Sequence, residues 1–387
     1  MKRLLYTFLM GLVGCTSAAA EPLTTPTEFT QSTPGSTLQI MYDDVDAFLA
    51  ASVYVVGPSS REKAPRPVGV TGTLLKPRIN RVTALEGNRF YFDNFANPEY
   101  VALLTSLQRS LIAVADELIL ASFSRDEQLA YWLNLYNLTL LSALADQYPV
   151  IDPREFYDAD SALFSAPRVT VQGVTLSLND IHHRILGVQY AGKPEVMYGL
   201  YQAVIGAPSL QPFAFKGPQV WQQLARAASD FINSNRGTYY DGRVSHWYQR
   251  NAVFYNDDKE QLKAHMLRYL KPGTFYAEIN STPARLLAMD IRDIDLADLS
   301  RGRQYGAGLM NNRAALMDAA RVSQPGVAVP VQNYIAEGIL RKAMQNSQLN
   351  LDDIERLQKM KNIRLSNQGS VSVVDLSETE AMEPTKK

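Results

Sequence analysis

The sequence predicts a mainly helical α+β fold, with several helices around one central buried helix at 125–148 and a few short antiparallel strands or hairpins. Three observations predict it. The stretch RDEQLAYWLNLYNLTLLSALADQYPV carries helical spacing with apolar residues on nearly every side, as a helix surrounded by others does. Short alternating runs are broken by turn chemistry at Glu86-Gly87-Asn88, Gln172-Gly173 and Asp241-Gly242. With 387 residues and 46% hydrophobic content, the chain has enough apolar surface for one large domain or two modest ones.

From the start, residues 1–20 read as an export signal. Lys2 and Arg3 precede an apolar run too short to span a bilayer. Leu12-Val13-Gly14-Cys15 has the form of a lipobox, which would make Cys15 a lipidation site. Ala18-Ala19-Ala20 offers an ordinary cleavage site at A-x-A spacing, and the reading leans to this one. Either places the body in the periplasm, soluble or as an outer-membrane lipoprotein. Residues 21–40, rich in Thr, Ser and Pro, read as a linker. The globular domain is expected at 41–300, a helical extension at 301–365 and a polar, disordered tail at 366–387.

Within the domain, 41–56 predicts an amphipathic helix whose Asp43, Asp44 and Asp46 suit the positive end of its dipole. Residues 68–75 and 89–93 read as short strands. Residues 98–120 form a helix with Leu103, Leu104, Leu107, Leu111, Val114 and Leu118 on its stripe, joined tightly to the central helix. That helix opens on a capping box, Ser124 with Glu127, and closes at Tyr148 before Pro149. Residues 169–176 form a hairpin around Gln172-Gly173. It feeds a helix at 178–186 with Ser177 as N-cap, Asp180 reaching back and Gly187 past its end. Residues 194–210 read as a buried strand or irregular segment in close backbone contact. Helices follow at 220–231 and 259–270, around a hairpin-like turn at 237–245, and at 311–320, 333–344 and 351–360.

Composition excludes several chemistries. The net charge is −1, and loss of the leader removes Lys2 and Arg3 as well, so no basic patch for nucleic acid is present. Cys15 is the one cysteine and lies in the leader, so the body has no disulfide, thiolate nucleophile or cysteine ligand. No metal-ligand spacing, nucleophile elbow or calcium loop appears, and no cofactor is expected. His182 and His183 are neighbours, about 100° apart on an α-helix, which argues against shared chelation.

The polar centre is expected on the central helix. Asn134 and Asn137 lie three apart on an apolar element, so they either tie chain segments together or line a cavity. Asp180 precedes His183 by three residues, one turn, so an Asp–His relay with Arg184 as an anion-stabilising group is conceivable. The competing reading makes Asp180 a cap and His183 a packed histidine bonded to Asn134 or Asn137.

Four blocks then carry a family resemblance. EQLAYWLNLYNLTLL, VTVQGVTLSLNDIHHRIL, PEVMYGLYQAVIGAPSL and VSHWYQRNAVFYNDDKEQLKAHMLRYL resemble, in order and spacing, the domain of unknown function 547, over about 100–270 with its clearest part at 125–270. Asn134, Tyr136, Asn137, Asp180, His183 and Trp247 occupy positions of the family pattern. Relatives usually carry Glu at the His182 position. Met197, Gln202 and Ala207 stand where many relatives have His, Cys and Cys, so any thiol function of those relatives is lost here. The resemblance implies a bacterial extracytoplasmic protein and no established reaction.

Three functions follow as expectations. The first is a non-catalytic envelope module that binds a small molecule or an envelope protein, with Asn134, Tyr136, Asn137, Gln202 and Trp247 around its polar centre. The second is a cysteine-independent hydrolase or transferase using His183, Asp180 and Arg184. The third is a structural envelope protein. No nucleic acid is expected, and membrane contact only through a lipid on Cys15.

Overall fold

The computed structural model describes residues 24–62, 82–83, 86–149, 151–156, 158, 160–298 and 371–375. The leader expected at 1–20 with Cys15, the strand expected at 68–75 and the helices expected at 311–320, 333–344 and 351–360 lie outside the described residues.

Helix α3, Arg125–Gln147, is the axis of the fold. Its flanks meet helix α2 (Pro98–Glu117), helix α6 (Val220–Ile232) and the chain around Gly217–Gln219. This burial explains why it lacks a polar face: Leu129, Trp132, Tyr136 and Leu140 are buried, and so are Ala130, Leu138 and Leu141 on the other side. The N-cap forms, with Ser124 Oγ accepting from the amide of Glu127 at 3.2 Å. The reciprocal half of the capping box does not. The Glu127 carboxylate turns inward instead and accepts from the Ile40 amide at 3.0 Å. The helix closes at Tyr148, where the sequence places its stop.

Helix α2 begins on Asn97, whose side chain accepts from the Glu99 amide, with Pro98 as first helical residue. It ends three residues sooner than its pattern predicts. Leu118 leaves the stripe and is 36% exposed. Gln108 donates to Thr139 across the α2–α3 seam.

The strands are short. Strand β1 (Leu38–Met41) precedes helix α1 (Asp43–Ser52), and β2 (Val53–Tyr54) pairs antiparallel with β3 (Arg89–Phe90). The expected strand at 89–93 is thus two residues long, and its remainder becomes a 3-10 turn over Phe92–Ala96. A short helix α4, Ala162–Ser165, leads to the hairpin of β4 (Pro167–Val171) and β5 (Val174–Ser177). Gln172 and Gly173 both have positive φ, 48° and 78°, which the two-residue turn requires. Strands β6 (Thr238–Tyr239) and β7 (Arg243–Ser245) pair antiparallel around Asp241-Gly242, and β8 (Ala288–Ile291) joins β7 in parallel.

Strand β9, Ser372–Asp375, pairs antiparallel with β1, Leu38 opposite Asp375 and Met41 opposite Ser372. Residues read as linker and tail therefore meet in one ladder. The reason is local: Leu38, Ile40, Val371 and Val373 lie in or against the core despite polar neighbours. Phe29, in the same linker, packs edge-on against Trp132 with ring centroids 4.9 Å apart.

After β5 the chain enters a helix whose middle, Asp180–Leu186, is π-helical and continues as α5, Gly187–Gln189. Here the capping box is complete. Asp180 N donates to Ser177 Oγ at 3.1 Å, and Ser177 N donates to Asp180 Oδ2 at 2.9 Å. Gly187 does not stop the helix; its φ is −62°. It is small because a Cβ there would lie 2.9 Å from Val253. Residues 194–210 open as a buried 3-10 stretch, Pro194–Gly199, and run on irregularly. Beyond α6 come α7 (Trp247–Arg250), α8 (Lys259–Tyr269) and α9 (Thr274–Ser281). No helix among the described residues is long and apolar enough to cross a membrane.

Candidate functional site

Asn134 and Asn137 are buried, at 3% and 7% exposure. Each carboxamide is used twice on another segment's backbone. Asn134 Nδ2 donates to Phe215 O at 2.8 Å, and Phe215 N donates to Asn134 Oδ1 at 2.9 Å. Asn137 Nδ2 donates to Gly199 O, and Tyr201 N donates to Asn137 Oδ1, both at 3.0 Å. The pair ties 199–201 and 215 to α3. It makes no bond to the Asp180–His183 segment, so the expected tie between the two asparagines and His183 is absent. Their side-chain bonds are complete without it.

The expected relay is also absent. Asp180 Oδ1 accepts from Arg184 Nη1 at 2.8 Å, and Oδ2 accepts from Ser177 N and from Ser177 Oγ at 2.6 Å. Burial alone would raise its pKa, but the Ser177 bonds and Arg184 outweigh that and hold it below the usual carboxylate range. Both oxygens are committed to the cap and to Arg184, so neither orients His183.

His183 belongs to a different cluster. The π-helical winding brings its ring face to face with His182, centroids 4.0 Å apart and planes 11° off parallel. The sequence expectation of rings about 100° apart assumed an α-helix, and the wider turn replaces it. His182 in turn stacks on Phe254 at 5.7 Å and meets Tyr136 edge-on at 6.3 Å. Helix α7 adds Arg250, whose guanidinium lies 3.9 Å over the Phe164 ring and donates through Nη2 to Asn179 Oδ1 at 2.9 Å.

This cluster is rich in buried polar atoms that have no protein partner. They are the Tyr136 hydroxyl, both His182 ring nitrogens, Nε and Nη1 of Arg250, and Oδ1 of Asn251; His182 and Asn251 face each other without a well-formed hydrogen bond. Most buried side-chain polar atoms are bonded, so six such atoms on four side chains need an explanation. His183 lies half-buried at the margin of the cluster. Burial first and Arg250 second push its pKa down to about 4. Burial, His183 and Arg250 push His182 further, with Asn251 opposing. Both imidazoles are therefore neutral near pH 7. Burial drives the Tyr136 phenol up to about 12 against the pull of Arg250, so it remains a hydroxyl donor.

Residues 120–232 match the family model described as protein of unknown function, DUF547. This segment is similar to the DUF547 family. No curated protein and no solved structure matches the chain. The DUF547 span holds Asn134, Tyr136, Asn137, Asp180, His182, His183 and Gln202, and ends before Trp247, Arg250 and Asn251. The block at 244–270 that supplies the arginine therefore lies beyond the matched residues.

The remaining expected site residues stand apart. Gln202 is buried with Nε2 lacking a protein partner, and no hydrogen bond joins it to the cluster. Trp247 packs on Tyr198 and Phe231. Arg184 serves Asp180. Sequence reading missed Arg250 and Asn251; the available signal was a cation flanked by aromatics in HWYQRNAVFY. It also missed Glu86 and Arg236, a buried pair beside a cavity of about 150 Å³ that Ser59, Asn88, Phe213 and Asp230 help to line. Among the described residues, no group of three or more His, Cys, Asp or Glu is placed to hold a metal.

Proposed function

We propose that the protein is a non-catalytic ligand-binding module of the cell envelope, with its site at the cluster of Tyr136, His182, His183, Arg250 and Asn251. One observation carries this: Tyr136 of α3 meets His182 of the π-helix, His182 stacks on half-buried His183, and Arg250 of α7 acts electrostatically on Tyr136 and His183, while Tyr136, His182 and Arg250 all hold buried polar atoms without hydrogen bonds. Such groups cost on the order of 1–3 kcal/mol each when nothing meets them, which a ligand offsets on binding. The envelope part of the reading rests on the charged, apolar and small-residue order of 1–20.

The hydrolase reading keeps one support, the neutral and reachable imidazole of His183. It lacks an orienting carboxylate, because Asp180 is engaged elsewhere.

Native mass spectrometry of protein purified gently from the envelope fraction tests the binding role. A bound small species is expected, and Tyr136→Phe should shed it while keeping the melting temperature near wild type. Protein that carries nothing, and that no member of a broad metabolite panel stabilises, would sink the proposal. Recovery of the protein in the cytoplasmic fraction would remove its envelope part.

A further inference from the structure

We infer that the group recognised at this cluster is an oxyanion, a carboxylate or a phosphate, with Arg250 as its counter-charge; this rests on the cluster being the ligand site. The argument is a charge inventory. Of the three guanidinium nitrogens of Arg250, Nη2 is spent on Asn179, and Nε and Nη1 are buried without a protein partner. One face of the guanidinium is covered by Phe164. The remaining donors point within its plane, the geometry in which arginine meets carboxylate and phosphate oxygens.

Among the described residues, no carboxylate pairs directly with this charge. Among the described residues, none lies within 4.0 Å of Arg250. Asp180 is held by Arg184 and Ser177. Asp158 is exposed and acts only at longer range. His182 and His183 are neutral, and Tyr136 and Asn251 carry no charge. The cluster therefore has a net charge of one positive unit in a low-dielectric setting, where an unpaired ion is costly.

The same molecule supplies the comparison. Arg236, a fully buried arginine, has Glu86 Oε2 at 4.0 Å and donates through Nη1 to Ile205 O, Ala207 O and Ser209 Oγ. Arg236 Nε also lacks a hydrogen bond, so the contrast lies in charge: Arg236 has a buried carboxylate beside it, and Arg250 has none within 4.0 Å among the described residues. Tyr136 lies close enough for its hydroxyl and the guanidinium to feel each other's charge, so the phenol supplies a further neutral donor. A neutral imidazole at the margin adds one N–H donor.

The test uses the full-length protein with sodium acetate and inorganic phosphate as probes, sodium chloride at matched ionic strength as control, and acetamide as the neutral isostere of acetate. Thermal unfolding and calorimetric titration are the readouts. Acetate, phosphate or both should raise the melting temperature beyond chloride, with acetamide at least about tenfold weaker because it forgoes the charge-assisted bond. Arg250→Gln should abolish the effect and the surface control Arg154→Gln should keep it. If Arg250→Gln does not fold, Tyr136→Phe replaces it and should weaken binding several-fold. Response to acetate alone identifies a carboxylate ligand, and to phosphate alone a phosphate ligand. Acetamide binding as tightly as acetate overturns the oxyanion inference but leaves the cluster as a ligand site. No binding by any probe overturns the inference. An anion effect that survives Arg250→Gln does so as well.

Discussion

The side-chain amide of Asn134 and the backbone of Phe215 bond to each other in both directions, Nδ2 to O at 2.8 Å and N to Oδ1 at 2.9 Å. The carboxamide thus behaves like one more residue of backbone, giving an interior segment the partners a strand would have given it. Asn137 does the same for Gly199 and Tyr201 one turn later. Two asparagines on one helix replace a sheet at the centre of a fold whose strands are all short.

Removing either amide leaves a buried N–H and a buried C=O unmatched. Asn134→Ala should cost about 2–6 kcal/mol, from two groups at roughly 1–3 kcal/mol each. Urea denaturation should show the midpoint falling with an unchanged slope. A loss below about 0.5 kcal/mol would mean that water reaches Phe215 and that the clamp carries little.

Gly199, which Asn137 holds, is close to two leucines. A Cβ there would lie 2.8 Å from Leu133 Cδ2 and 2.9 Å from Leu224 Cδ2. Gly199→Ala should destabilise by about 1–3 kcal/mol through overpacking. Adding Leu224→Ala should recover part of that loss beyond additivity, and a double-mutant cycle measures it.

Glu127 gives the protein one pH-dependent liability. Burial raises its pKa to about 7, although the amides of Ile40 and Gly217 pull it back. The folded state therefore holds this proton where the unfolded state has released it. Between about pH 4.5 and 7, this residue's contribution to stability falls as pH rises. Glu127→Gln keeps an acceptor oxygen for Ile40 and cannot ionise. It should flatten that slope and raise stability at pH 8, by at most about 3 kcal/mol. Equal pH profiles for the variant and the wild type would contradict this.

The histidines act with the opposite sign. His183 and His265 are both depressed to about 4, chiefly by burial. Unfolded histidine binds its proton near pH 6.5, so stability is full above that value and declines as pH falls toward 4. In the cluster, Arg250 contributes to the depression at His183. Arg250→Gln should therefore raise the His183 pKa, read by NMR titration of its ring proton. An unmoved value would place the guanidinium too far away to act on it.

Much of the fold was legible because its signals are local. The helix at 125–148, its Ser124 cap and its stop at Tyr148 follow from spacing, a hydroxyl and a proline. The hairpin at Gln172-Gly173 and the Ser177/Asp180 capping box follow from residues at most three apart. The Ser124/Glu127 box failed for a reason outside its segment: Ile40, 87 positions earlier, offered Glu127 a buried amide. The linker reading at 21–40 missed the pairing of β1 with β9 for the same reason, since a strand's partner is not written beside it.

The sequence by itself determined that Asn134 and Asn137 would be buried and that the body lacks thiol chemistry, because periodicity and counting need no coordinates. Only the tertiary structure decided where those amides point, that Asp180 serves Ser177 and Arg184 rather than His183, and that Arg250 arrives beside Tyr136 and the stacked histidines. Hydrogen bonds are short and directional, and the groups that meet here come from segments dozens of residues apart, Tyr136 and Arg250 being separated by more than a hundred positions. Their meeting depends on packing angles and a π-helical turn that residue spacing does not encode.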